Sequence, residues 1–295
     1  MRIVFIGSVY FSKLTLLQLI DLNANIVGII TKSYSQFNSD FADLSPIAQK
    51  HNIPFKIVKD INHEDNVQWI KQTSPDIIFC FGWSSLLKKD ILKIPPMGVL
   101  GYHPSLLPNN RGRHPLIWAK TLGLEKTGST FFFMDEDADT GDILSQAEIP
   151  ILFEDDASVL YSKIINSALF QIKMFLPLLQ KNDFTLIPQK QIKGNTWRKR
   201  GKNDGLIDFR MSTNAICNLV RALTKPYVGS HCIYNNSEIK IWAVEPGKNN
   251  QINMEPGKVL GVKNNSIEVK TWDGSIFLTD HDFTEMPIIG TYIGN

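Results

Sequence analysis

The chain has 295 residues, 43% of them hydrophobic and 20% charged, with a formal net charge of +2 at pH 7. That balance excludes a disordered or fibrous polymer and leaves chain enough for one large or two ordinary domains. It is too nearly neutral for the broad basic face of a bulk nucleic-acid binder. The opening MRIVFIGSVYF has one arginine and no cleavable apolar region, and no segment approaches a membrane span, so the expectation is a cytoplasmic protein with no membrane partner. Cys80, Cys217 and Cys232 match no zinc or redox spacing, and Cys80, inside DIIFCFGW, reads as a small core residue.

Short apolar runs alternate with helix-like segments through the first half. RIVFI (2–6) reads as a buried strand and FSKLTLLQLIDL as the helix after it, followed by strand NIVGIIT (25–31). SPIAQKHN is a short helix with Ser45 as N-cap and Pro46 at its first position. Then come strand IPFKIV, helix HEDNVQWIKQ, strand DIIFCFG (76–82), helix LLKKDIL and strand MGVLGYH (97–103). This alternation, with strands that are apolar without interruption, predicts a Rossmann-like α/β fold: a mainly parallel sheet with helices on both faces. GSTFFFMDEDADTGDILSQAEIPI (128–151) reads as strands around a tight acidic turn, and 156–180 as a long amphipathic helix. The polar stretch after it, broken by Pro188 and two glycines, reads as a linker, giving a catalytic domain over 1–190, a linker over 191–207 and a second domain over 208–295. That second domain starts with helix STNAICNLVRAL and continues as short strands with turns at Asn264-Asn265 and Asp273-Gly274, which predicts a small β-rich, OB-like unit.

Ligands of parallel sheets bind beyond the carboxyl ends of the strands. Gly7-Ser8, Phe81-Gly82-Trp83 and Tyr102-His103 all fall at such ends, and behind the last of them stands GYHPSLLPNNRGRHP (101–115). His103 is followed by Pro104, which holds it out of helix. An imidazole, with an ordinary pKa of about 6.5, gives or takes a proton at neutral pH. The loop Asp135-Glu136-Asp137-Ala138-Asp139-Thr140-Gly141-Asp142 would return beside it in a parallel sheet, and a carboxylate on one ring nitrogen orients an acid–base histidine. A metal site from His103, His114 and one of Asp135, Asp137 or Asp139 lacks any short ligand spacing. A dinucleotide site is disfavoured because GSVYFS has no GxGxxG. The residues alone support an α/β enzyme with a His–Asp site.

HPSLLPNNRG followed by MDEDADTGDIL resembles the formyltransferases that use N10-formyltetrahydrofolate. That family includes methionyl-tRNA formyltransferase, glycinamide ribonucleotide transformylase and the nucleotide-sugar N-formyltransferases. The resemblance covers nearly the whole chain, and DGLIDFRMSTNAICNLVRALTKPYVGS resembles the start of the C-terminal domain of the tRNA and sugar branches. It implies His103 as general acid–base and Asp139 as the carboxylate that supports it. It implies Trp83, Ser85, Leu86 and Leu87 on one side of the folate, Asp135, Glu136, Asp137 and Ala138 on the other, and Arg113 as a folate contact. No metal is implied. The family usually places an Asn two residues before the histidine to hold the oxyanion; here that position is Gly101, and Asn110 is offered as the substitute donor.

For the acceptor, NRGRHPLIW, TWRKRGKNDGLIDF and RALTKPYVG look more like the sugar branch than the tRNA branch. The resemblance implies the amine of a nucleotide-linked 4-amino-4,6-dideoxy sugar, a precursor of a cell-surface polysaccharide such as O-antigen. Ser8, Tyr10, Trp197, Arg198, Arg200 and Tyr227 are the candidate acceptor contacts, the arginines because two phosphates need only a few donors. A methionyl-tRNA enzyme, with its nucleic-acid partner, and a folate-binding protein without turnover are the alternatives. Relatives often form homodimers, and nothing in the chain decides that.

Overall fold

The computed structural model describes residues 1–34, 39–189, 193–249, 251 and 253–294. The chain divides into two compact units, one of 1–115, 127–149 and 162–197, the other of 116–126, 150–161 and 198–295.

In the first unit, β1 (Arg2–Ile6), β2 (Asn25–Thr31), β3 (Phe55–Ile57), β4 (Ile77–Cys80), β5 (Val99–His103), β7 (Lys126–Phe133) and β8 (Ile143–Pro150) form one sheet in the order β3-β2-β1-β4-β5-β7-β8. The two-residue β6 (Arg111–Gly112) stands outside it. The first five strands pair in parallel, joined through α1 (Tyr10–Asp21), α2 (Ser45–Lys50), α3 (Glu64–Gln72) and α4 (Lys89–Leu92). Their apolar runs are buried because both faces are covered: Val4, Ile6, Ile30, Ile78, Cys80 and Val99 lie in one cluster with Val67, Ile70 and Ile91 of the helices. β7 runs antiparallel to β5, so the acidic loop 134–142 reaches the site from a reversed strand and not through a parallel crossover.

Two local expectations are corrected. The N-cap of α2 is Leu44, and Ser45 is already helical; its N–H and hydroxyl both donate to Asp43, a short-range bond that displaces serine from the cap. Of LLKKDIL only Lys89–Leu92 is helix, because Asn62 holds the preceding turn by donating to the Leu86 carbonyl and accepting from the Lys88 N–H. The joint between β1, α1 and β4 is made by Ser12: its buried Oγ accepts from the Ser8 and Val9 N–H groups and donates to the Phe81 carbonyl at 2.6 Å.

After β8 comes the long helix α6 (Ala157–Gln180), where the sequence predicts one. The second unit carries α5 (Pro115–Thr121) from its second residue onward, α7 (Thr213–Leu223) and a five-stranded antiparallel sheet. The sheet is built from β10 (Ser230–Tyr234), β11 (Ser237–Gly247), β12 (Val259–Lys263), β13 (Ser266–Lys270) and β14 (Ser275–His281), in the order β10-β11-β14-β13-β12. Asn264 and Asn265 both have left-handed φ, as a two-residue primed hairpin turn demands. Ser212 caps α7, and Asp273 accepts from the Thr213 N–H and hydroxyl, fastening the helix start to the β13–β14 turn.

Candidate active site

Because β1, β4 and β5 are parallel neighbours, Ser8, Gly82-Trp83 and His103 arrive at one carboxyl edge. His103 is 6% exposed. Its Nε2 lies 2.9 Å from the Asn110 carbonyl and its Nδ1 3.6 Å from Asp139 Oδ1. Both ring nitrogens therefore face acceptor oxygens. The second Asp139 oxygen accepts from the Gly112 N–H at 3.0 Å, and Asp139 itself is left-handed at φ 60°. A carboxylate anchored in this way can orient an imidazole for proton transfer.

The loop 109–113 that serves the histidine is itself held. Arg111–Gly112 pairs in parallel with the two-residue β9 (Thr196–Trp197), inside the stretch that reads as a linker in the sequence. Gly112 has φ 98°, and a Cβ there would lie 2.3 Å from the Trp197 carbonyl, so only glycine fits. The Asn110 N–H donates to Asn195 Oδ1 and the Arg113 N–H to the Trp197 carbonyl. Arg111 Nε donates to the Asp139 carbonyl, and its Nη2 to Gln189 Oε1, each at 3.0 Å.

Across the mouth, the turn after β4 and the acidic loop face one another. Lys89 and Glu136 form a 2.5 Å ion pair between them, and the Lys89 ammonium holds the Glu136 carboxyl below its ordinary range. Asp135 accepts from Thr140 Oγ1 and the Asp137 N–H, so the loop is turned on itself, with Asp137 and Ala138 exposed. Arg113 Nη1 donates to the Ser84 carbonyl at 3.3 Å, tying the histidine loop to the Ser84–Leu87 turn. There Ser85 is exposed and Leu86 70% exposed, while the Leu87 side chain is core. The Trp83 indole N–H is buried and has no hydrogen-bond partner among the described residues. Lys32 stands 4.5 Å over the Trp83 ring, its ammonium pushed below the usual lysine range by burial.

At Gly101, where an amide side chain is usual, a Cβ would come within 2.9 Å of Met134 Cγ and 3.1 Å of Phe132 Cζ. Met134 packs into both neighbouring apolar clusters, so the place is filled by a thioether. The candidate acceptor contacts are scattered. Ser8 Oγ is buried with no partner among the described residues, whereas Tyr10 is 46% exposed. Trp197 is half-buried on β9. Arg198, Arg200 and Tyr227 belong to the second unit. Arg198 is bidentate to Asp204, Arg200 is 9% exposed and donates to the Asp204 carbonyl, and both guanidinium groups stack on Trp118. The basic cluster that a sequence reading offers to a pyrophosphate thus spends these two arginines internally. Among the described residues, no group of three or more His, Cys, Asp or Glu could hold a metal ion, so His114 does not complete a cluster with His103 and Asp139.

Sequence reasoning missed Asn62, Lys89, Arg111, Gln189 and Asn195. Only Arg111 carried a signal, as part of the RG dipeptide; Lys89 acts through an ion pair to a distant loop, and Asn62, Gln189 and Asn195 bond backbone groups that a pattern search does not see.

A mainly parallel sheet with a buried histidine beside a carboxylate at its carboxyl edge, and an antiparallel β unit, defines the class: a two-unit α/β protein with a candidate site at its strand ends. Family models sharpen this. The formyl transferase model matches residues 1–170, and the model of the formyl transferase C-terminal domain matches 199–289. The chain belongs to the formyl transferase family. It is 36% identical over 226 residues to the bifunctional polymyxin resistance protein ArnA of Wigglesworthia glossinidia brevipalpis, covering 76% of this chain. The chain spans about a third of that relative's length, 35%. Similar solved folds include HypX from Aquifex aeolicus in complex with tetrahydrofolic acid (TM-score 0.69, 19% identity, 97% of this chain and 44% of that one). WlaRD, a sugar 3N-formyl transferase solved with dTDP and 5-N-formyl-THF, has TM-score 0.71 at 20% identity over 94% of this chain and 96% of that one. The N-formyltransferase of Helicobacter canadensis, in complex with folinic acid and dTDP-3-aminofucose, has TM-score 0.71 at 18% identity over 94% and 98%. No helix among the described residues is long and apolar enough to cross a membrane.

Proposed function

We propose that this protein transfers a formyl group from N10-formyltetrahydrofolate to the amine of a nucleotide-linked amino sugar, a 4-amino-4,6-dideoxy sugar in the first instance. The observation that carries the reading is the His103–Asp139 pair, a buried imidazole beside a carboxylate of the acidic loop, which Lys89 of α4 also holds through Glu136. The site suits a flat heteroaromatic group with polar edges. Exposed Leu86 offers apolar surface, and the orphaned Trp83 N–H, with backbone groups of 84–87, offers polar contacts. Ser85, Leu86 and Leu87 on one side, and Asp135, Glu136, Asp137 and Ala138 on the other, would hold the folate, with Arg113 between them. When bound, the folate supplies a formyl carbonyl already activated on N10.

The chain's own residues do the rest. His103 takes the proton from the attacking amine and returns it toward the departing nitrogen. Asp139 keeps the ring oriented and stabilises its charged form. Asn110, two residues before Gly112, is the proposed donor to the formyl oxygen in place of the usual amide at position 101. Loss of such a donor typically costs ~10²–10³ in rate. Holding donor and acceptor in line supplies much of the remaining acceleration.

The sugar assignment is supported by structural relatives described with dTDP and an aminofucose, while the match to the family's C-terminal domain counts against a glycinamide ribonucleotide acceptor. The test is tetrahydrofolate release from N10-formyltetrahydrofolate with a panel of UDP-, dTDP- and GDP-linked 3- and 4-aminosugars, beside methionyl-tRNA. Turnover with one aminosugar supports the reading. Turnover with the tRNA alone replaces it, and silence across the panel despite tight folate binding supports a folate-binding protein, the outcome that Met134 in the place of the usual amide would favour.

A further inference from the structure

The polar stretch 182–205 reads as connection between domains in the sequence, yet Gln189 within it is 1% exposed. Its amide uses both ends: Oε1 accepts from Arg111 Nη2 at 3.0 Å, and Nε2 donates to the Gly141 carbonyl at 2.5 Å. Arg111 in turn grips the Asp139 carbonyl. Gln189 therefore fastens the acidic loop at two carbonyls, those of Asp139 and Gly141, that flank Thr140. Six residues later Asn195 receives the Asn110 N–H, and β9 pairs with β6.

The consequence falls on His103. Its two acceptor neighbours are the Asn110 carbonyl and the Asp139 carboxylate, the first on a segment held by Asn195 and β9, the second on a loop held by Gln189 and Arg111. We infer that Gln189, together with Asn195 and β9, forms a strap that positions both partners of the catalytic histidine, with Gln189 as its key positioning residue. The inference rests on the formyl-transfer reading for its kinetic consequence but not for its geometry. Glutamine is the side chain that fits, because one end must accept from a guanidinium while the other donates to a carbonyl. Leucine does neither, and glutamate keeps only the half that faces Arg111. Gly141 belongs to the same device: a Cβ there would meet the Phe133 carbonyl at 1.7 Å, so the loop passes where a side chain is forbidden.

Misplacement of a catalytic group by about 1 Å costs ~10²-fold in rate. Gln189→Leu should therefore lower kcat by ~10–10²-fold, with KM for the acceptor changed less than about threefold, since the Gln189 side chain is 1% exposed and is assigned to neither substrate. Gln189→Glu should recover part of the loss. In the free protein, amide hydrogen exchange over 134–142 should rise by about tenfold or more in Gln189→Leu while the core strands stay protected. This second readout needs no acceptor, so it stands if the sugar reading fails. Should Gln189→Leu not fold, Arg111→Lys breaks the same chain at the Asp139 carbonyl and takes its place in both measurements. Turnover within threefold of wild type, unchanged exchange in 134–142, or a Gln189→Glu variant no better than leucine would overturn the strap.

Discussion

The histidine site and the basic cluster at 198–204 look equally promising as strings of polar residues, and they come to opposite ends. His103, Asp139 and Gln189 are far apart in sequence and converge because strand register and a two-residue pairing bring their segments together. Arg198, Arg200 and Asp204 are neighbours in sequence and satisfy one another. Asp204 is held far below the ordinary carboxylate range, first by its hydrogen bond to Arg198. The lesson is that charge close in sequence tends to be spent locally, whereas polar groups gathered from distant strands and left facing a mouth are available for chemistry.

The comparison breaks most sharply at His103. His103→Asn should lower formyl transfer by ~10²–10⁴-fold, the usual worth of a positioned acid–base group, with 5-formyltetrahydrofolate binding within about threefold. If turnover is nearly unchanged, the pair is structural. Gly101→Asn comes next. With Met134 and Phe132 in the way it should destabilise the protein by ~1–3 kcal/mol, as overpacking does, and Gly101→Asn/Met134→Ala should regain most of that in denaturant unfolding. An additive double mutant would mean that Met134 does not fill the amide's place. Arg198→Ala should raise KM for a nucleotide-linked acceptor by less than about threefold. A rise of tenfold or more would show the guanidinium leaving Asp204 for the acceptor's phosphates.

The smallest effect concerns His231, a buried residue of β10 whose ring is pushed below the ordinary histidine range by burial. As pH falls through 6.5, the unfolded chain takes up the proton before the folded one, so stability is full above that value and falls below it. His231→Gln should flatten Tm against pH there; an unchanged slope would assign the acid sensitivity elsewhere.

Much of the fold was legible, because buried parallel strands leave unbroken apolar runs and the two primed-turn asparagines announce their hairpin. The reversal of β7 was not, since an apolar strand carries no mark of its direction. His103 and a carboxylate of the 135–142 loop could be read as a pair from residue type and order, and the family resemblance pointed to Asp139 as that carboxylate. The strap could not, because its pairing with β6 uses backbone groups, and Gln189 and Asn195 look like any polar residues in a long connection. Ser45 misled for a related reason: the preceding Asp43 captured its hydroxyl.

The central claim is that the formyl group ends on an acceptor nitrogen. N10-formyltetrahydrofolate labelled with 13C in the formyl carbon, turned over with the aminosugar that responds in the panel, should give the label as a formamide on the sugar. Label recovered as free formate, with the sugar amine untouched, would make the protein a hydrolase and contradict the account.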